Sequence, residues 1–120
     1  MYNKSINKSF QFAFHGLLHA LKSQRNMRIH LYLAIGVILA GIILRLTNIE
    51  LAILICVIGL VLTAEIINTA LEYSLDFING KKFHPTVKII KDIFAGCVLL
   101  ASINAVVIGS IIFLPHLFKL

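Results

Sequence analysis

The sequence predicts an all-α membrane protein, with an N-terminal amphipathic surface helix followed by three transmembrane helices. Two observations carry that expectation. Apolar residue types make up 59% of the 120 residues and charged types only 13%, against roughly 45–50% and 25% in average soluble domains. A unit of this length has too little interior to hide so much apolar surface from water. The apolar residues also gather into long stretches, 29–46, 51–64 and 93–114. A spanning helix needs about 20 mostly apolar residues at ~1.5 Å rise each. A soluble enzyme, a disordered tail and a secreted disulfide scaffold are all excluded, and residues 1–120 are expected to form a single integral-membrane domain.

Each element has its own justification. Over residues 1–27, Phe10, Phe14, Leu17, Leu18 and Leu21 recur at intervals of one to four residues. Lys8, Gln11, His15, His19 and Lys22 fall largely on other faces, as in a helix lying on a membrane surface. This segment lacks the continuous apolar core and small-residue cleavage pattern of a signal peptide. His15 and His19 stand at helical ligand spacing, but with no third ligand nearby they read as a solvated face. The first span, 28–47, is interrupted only by His30 and Arg45 near its ends. Thr47-Asn48 is a short polar turn suited to a tight hairpin between antiparallel helices.

The second span, 50–79, contains no Pro or Gly after Gly59 and is therefore expected as one long helix. Asn79-Gly80 supplies its stop. His84-Pro85 restarts the chain, with Pro85 pre-set for a first helical turn. The third span, 86–115, is expected to close at Pro115. Cys56 and Cys97 lie far apart inside apolar runs and read as small core hydrophobes.

Eleven Lys and Arg outnumber five Asp and Glu. Such a basic excess could point to nucleic acid. These cations instead flank the apolar runs, where anionic headgroups would meet them, so the expected partner is the lipid bilayer and not nucleic acid. Lys4, Lys8, Lys22, Arg25 and Arg28 precede the first span, and Lys81, Lys82, Lys88 and Lys91 surround the second loop. Only Arg45 and Lys119 remain for the other side. That asymmetry places the N-terminus and second loop in the cytoplasm, with the C-terminus outside.

The second helix carries the chemistry. At ~100° per residue, Glu65, Asn68, Glu72 and Asp76 fall at roughly 0°, 300°, 340° and 20°, one narrow stripe about three turns long. Carboxylates facing lipid would cost several kcal/mol each, so the stripe must face protein, water or metal. Lys88, Lys91 and Asp92 open the third helix at the same level as Glu72 and Asp76. Acids with Lys at a membrane–water boundary suit a divalent metal carrying a polyphosphate. No Walker loop, protein-kinase motif set or nucleophile elbow is present. Spacing alone thus supports a metal-dependent interfacial site without naming its reaction.

The run Ala64-Glu-Ile-Ile-Asn-Thr-Ala-Leu-Glu-Tyr-Ser-Leu-Asp76 resembles the signature of the bacterial diacylglycerol kinase family, E-x-x-N-[ST]-A-[IL]-E-x-x-[VL]-D. The resemblance continues through Arg25-Asn-Met-Arg-Ile-His30, His84-Pro85 and Lys88-Ile-Ile-Lys-Asp-Ile-Phe-Ala-Gly96, and covers nearly the whole chain. The first of these runs and the His-Pro pair look more like the family's undecaprenol kinase branch.

The resemblance implies a homotrimeric membrane kinase that moves the ATP γ-phosphate, with Mg²⁺, to the hydroxyl of a membrane lipid alcohol, undecaprenol or diacylglycerol. It makes Glu65 the general base and Glu72 a metal ligand. It gives Lys91 and Asp92 to the nucleotide, together with Lys82, Phe83 and His84 of the second loop. Asn68 and Asp76 would hold the polar network. Two positions depart from the family pattern. Gln24 stands where a second metal-binding carboxylate is common, and an amide oxygen can ligate Mg²⁺ without adding charge. Phe12 stands where many members carry a Tyr that contacts nucleotide.

Overall fold

The computed structural model describes residues 5–119; Lys4, counted above among the flanking cations, lies outside them. Four helices follow in order: α1 (Ile6–Ser23), α2 (Arg25–Ile43), α3 (Asn48–Asn79) and α4 (Pro85–Phe118). The last three are each long and apolar enough to cross a membrane. The chain is flat, 54 × 41 × 20 Å, with α3 packed between α4 and α2.

The predicted surface helix of residues 1–27 ends earlier than expected. Gln24 alone is extended, at φ −115° and ψ 116°, and Arg25–Met27 already belong to α2. The break is tolerated because its open backbone groups find partners. The Gln24 N–H donates to the Ala20 carbonyl, and the Arg28 guanidinium donates to the carbonyls of Leu21 and Lys22 at 3.1 and 2.7 Å. Arg28 therefore pins the end of α1 to the first turn of α2. Ala20 and Met27 are buried at this joint. Phe10, Phe14 and Leu17 leave the apolar face of α1 uncovered by the chain.

The α2–α3 hairpin closes by local hydrogen bonding. The Leu46 N–H reaches the Gly41 carbonyl and the Arg45 N–H that of Ile42, the paired bonds of a Schellman stop. Arg45 holds the left-handed position, φ 58°, where glycine is the usual occupant. Leu46 folds back over Gly41: a Cβ at residue 41 would lie 2.9 Å from Leu46 Cδ1 and 3.3 Å from Leu51 Cδ2. Thr47 then caps α3 in a reciprocal capping box, accepting from the Glu50 N–H while Glu50 Oε1 accepts from the Thr47 N–H at 2.9 Å. Leu46, Leu54 and Ile112 form the buried cluster here, flanked by Val37, Leu51, Ile58, Ile108 and Phe113.

The second loop follows the sequence signals. Gly80 ends α3 at φ 64°. The His84 side chain caps α4 by accepting from the Thr86 N–H, with Pro85 in the first turn. Two expectations need correction. Pro115 does not close α4, which runs on to Phe118. Proline lacks only its own N–H and crowds the carbonyl before it; later residues still donate, as Lys119 does to the Pro115 carbonyl. His116 also ties this last turn to Glu50, with Nε2 3.1 Å from both carboxylate oxygens. Cys56 and Cys97 are exposed and belong to no core. In a membrane chain the outward face is as apolar as the inward one, so residue type does not separate them.

Gly41→Val should lower Tm in detergent micelles, because overpacking a closed site costs about 1–3 kcal/mol. Gly36→Val is the control, since an added Cβ at residue 36 meets nothing within 4 Å; its Tm should stay close to that of the parent.

Candidate active site

Helix α3 buries one continuous stripe: Leu54, Val57 and Val61, then Glu65, Asn68 and Thr69. The stripe is apolar towards the α2–α3 hairpin and polar towards the second loop. Glu65 is 3% exposed, deep in a helix whose neighbours are aliphatic. The basic side chain that meets it is His30 of α2, with Nε2 3.6 Å from Glu65 Oε2. The Thr69 hydroxyl donates to the Glu65 carbonyl at 2.9 Å, a bond within the helix that keeps the buried hydroxyl satisfied.

One turn further, Asn68 donates from Nδ2 to Glu72 Oε1 at 3.4 Å. Its Oδ1 is buried and has no partner among the described residues. An unpaired buried acceptor costs about 1–3 kcal/mol, so this oxygen is a ready position for a donor or a cation. At the next turn Asp76 meets Lys91 of α4 at 2.6 Å. Glu65, Asn68, Glu72, Asp76 and Lys91 thus form a polar track running from deep in α3 to the second loop.

The remaining candidates lie on the rim. Asp92 pairs with Lys88 at 2.6 Å, both exposed, because adjacent helical residues diverge by about 100° and Lys91 takes the side facing α3. Lys82, Phe83 and His84 are exposed in the second loop. Phe12 is half exposed on α1. Gln24 is partly buried at the α1–α2 break, and no hydrogen bond joins its side chain to Glu72 among the described residues. Helix α1 does reach this end of the track: the His19 and Tyr73 rings stand 5.7 Å apart, one residue on from Glu72.

A residue that spacing did not single out is His30. It faces Glu65 on one side and lines a cavity of about 510 Å³ on the other. Leu33, Val57, Val61, Val106 and Phe113 are among the cavity's apolar walls between α2, α3 and α4. The available signal was a lone imidazole just inside an otherwise apolar span.

Among the described residues, no three His, Cys, Asp or Glu side chains gather closely enough to hold a metal unaided. Magnesium is commonly held by one or two carboxylates plus substrate phosphates and water. Glu72, beside the unpaired Asn68 oxygen, fits that sparse mode of binding.

Fold and site together define a helical membrane protein with a buried carboxylate track opening at one end of its spans. The family of prokaryotic diacylglycerol kinases matches residues 11–113, and the chain belongs to that family. It is 43% identical over 112 residues to a diacylglycerol kinase of Synechocystis sp., covering 93% of this chain and 64% of that protein's length. It is 36% identical over 110 residues to an undecaprenol kinase of Bacillus subtilis, covering 92% of this chain and 89% of that protein.

The Lys91–Asp76 pair is only partly buried, so its value to stability should be small. A double-mutant unfolding cycle with Lys91→Met and Asp76→Asn in micelles should give a coupling of no more than ~1 kcal/mol.

Proposed function

We propose that this chain is an ATP- and Mg²⁺-dependent lipid kinase that transfers the γ-phosphate to the hydroxyl of a membrane lipid alcohol, with undecaprenol as the acceptor. The observation that carries the reading is Glu65, a carboxylate 3% exposed at the inner end of a polar track that leads out to Lys91. A buried carboxylate at membrane depth is functional by default, and this one sits where a lipid hydroxyl could meet a phosphoryl group arriving along the track. Undecaprenol is favoured by the Arg25–His30 run, by His84-Pro85, and by the 89% coverage of the undecaprenol kinase relative. The second reading, diacylglycerol, has the 43% identity to the Synechocystis protein in its favour.

In this mechanism Glu65 accepts the proton of the lipid hydroxyl as its oxygen attacks the γ-phosphorus. The bond to the β–γ bridging oxygen breaks, and ADP departs with that oxygen. Glu72, with the Gln24 amide oxygen, would hold Mg²⁺, which supplies charge neutralisation on the phosphates. Lys91, oriented by Asp76, adds fixed positive charge where charge develops during transfer. Asp92, Lys82, Phe83 and His84 contact the nucleotide from the rim, and Phe12 contacts it from α1. Asn68 presents its free oxygen to the network.

The proposed arrangement puts the N-terminus and second loop in the cytoplasm, where ATP is found, and the C-terminus outside. It also makes the protein a homotrimer. Asn104, midway along α4, is exposed on a single chain, and an amide facing lipid tails leaves its polar atoms unsatisfied. Packing against further copies removes that cost.

Phosphate transfer from labelled ATP to undecaprenol and diacylglycerol, presented separately in mixed micelles, tests the reading. Labelled undecaprenyl phosphate should dominate; phosphatidic acid as the main product would select the second reading, and no lipid product would sink both. In the same assay Glu65→Gln should lose about 10²–10⁴-fold, the usual worth of a positioned base. More than a tenth of parental turnover would remove Glu65 from that role. Gln24→Glu should lower the half-saturating Mg²⁺ concentration at fixed ATP, since a charged ligand binds the ion better than an amide. An unchanged titration would take position 24 out of the metal site.

A further inference from the structure

We infer that His30 is a positioning residue for the transfer, donating from Nε2 to Glu65 and holding its carboxylate aimed at the incoming hydroxyl. The inference rests on Glu65 acting as the base. Three observations support it. His30 Nε2 is 3.6 Å from Glu65 Oε2, the closest approach of a basic side chain to that carboxylate among the described residues. The Glu65 side chain is 4% exposed and that of His30 21%, so the pair meets where water screens little. Among the described residues, His30 is also the one titratable side chain lining the apolar cavity between α2, α3 and α4, and therefore stands between that space and the base.

Physical chemistry assigns the role. A carboxylate can take a proton only if one of its oxygens is held within hydrogen-bond reach of the hydroxyl. An N–H donor beside it fixes which oxygen lone pair stays open. The present separation exceeds a hydrogen bond by about 0.5 Å, a gap that a small rotation of either side chain closes. Catalytic hydrogen bonds are often long before substrate binds. A base held by a third group is the general arrangement of activated transfer sites. Among the described residues, Glu65 of α3 is the acidic side chain within reach of His30, and Ser102 and Ser110 of α4 line the cavity that His30 shares.

The test uses the full-length protein in mixed micelles with ATP and the lipid alcohol that it phosphorylates. His30→Leu should lower kcat roughly 10–100-fold, the common cost of losing a group that orients a reacting one, with the KM for ATP unchanged. His30→Gln should recover most of that loss, because its amide N–H can still donate to Glu65. Added to Glu65→Gln, His30→Leu should cost nothing further, since residues acting as a unit are not additive. A fully active His30→Leu, a Gln variant as impaired as the Leu variant, or additive losses in the double variant would each overturn the role of His30. More than a tenth of parental turnover in Glu65→Gln alone would instead overturn the reading of the base. The two failures are therefore read from different variants.

Discussion

The structure depends on one constraint: Glu65 sits where a carboxylate cannot face lipid. A charge at the bilayer centre costs about 2.5–3.5 kcal/mol on insertion scales and more in other treatments, comparable with a sizeable part of a small protein's total stability. Turning that residue inward fixes the rotation of α3, because Leu54, Val57 and Val61 lie on the same face at helical spacing. The apolar part of the stripe packs against α2 and α4, and the polar part is thereby held between them. Packing and chemistry share one face of one helix.

Contacts at both ends keep that face in register. Near the hairpin, the Schellman stop over Gly41, the Thr47–Glu50 capping box and the His116–Glu50 contact join α2, α3 and α4 within a few residues of one another. Glu50 takes part in two of these, capping its own helix while it meets the far end of α4. At the other end, among the described residues, only Lys91–Asp76 crosses between α3 and α4 as an ion pair. A partly exposed ion pair contributes little to stability, so its meaning is positional: it aims an ammonium into the track. The well-packed end is remote from the polar track's opening, and the end where the proposed nucleotide would enter is the more lightly tied.

Much of this was legible because the controlling signals are local. Gly80 at a helix stop, Pro85 in a first turn and the acid stripe on α3 each follow from backbone or helical geometry that neighbouring residues cannot override. Pro115 misled because the rule against proline concerns the turn before it, whereas three further residues can still be helical. The cysteines misled because lipid and protein core select the same residue types. The break at Gln24 was not visible, since it depends on Arg28 reaching back across six and seven residues to capture two carbonyls. His30 was visible as an interruption of an apolar run and as the end of the Arg25–His30 run, but neither gave it a role. Its meaning required knowing that residue 30 of one helix lies opposite residue 65 of another, a tertiary fact that no single-helix pattern contains.

A single chain leaves the site open, and the way it does so bears on assembly. The arrangement is only 20 Å in its smallest dimension, about two helix diameters, so α3 can be covered on two sides but not enclosed. Asp92 and Lys88 face outward, the second loop is exposed, and Asn104 points away from the chain's own core. Aliphatic side chains on such a surface are indifferent to whether lipid or protein covers them. Polar ones are not, because hydrocarbon offers them no hydrogen bonds. The polar residues on the outer surface therefore decide between the two. Those near the second loop can be met by water, whereas Asn104 lies midway along α4. The same constraint that turns Glu65 inward within one chain thus disfavours lipid around Asn104, which is the physical reason for the assembly proposed above.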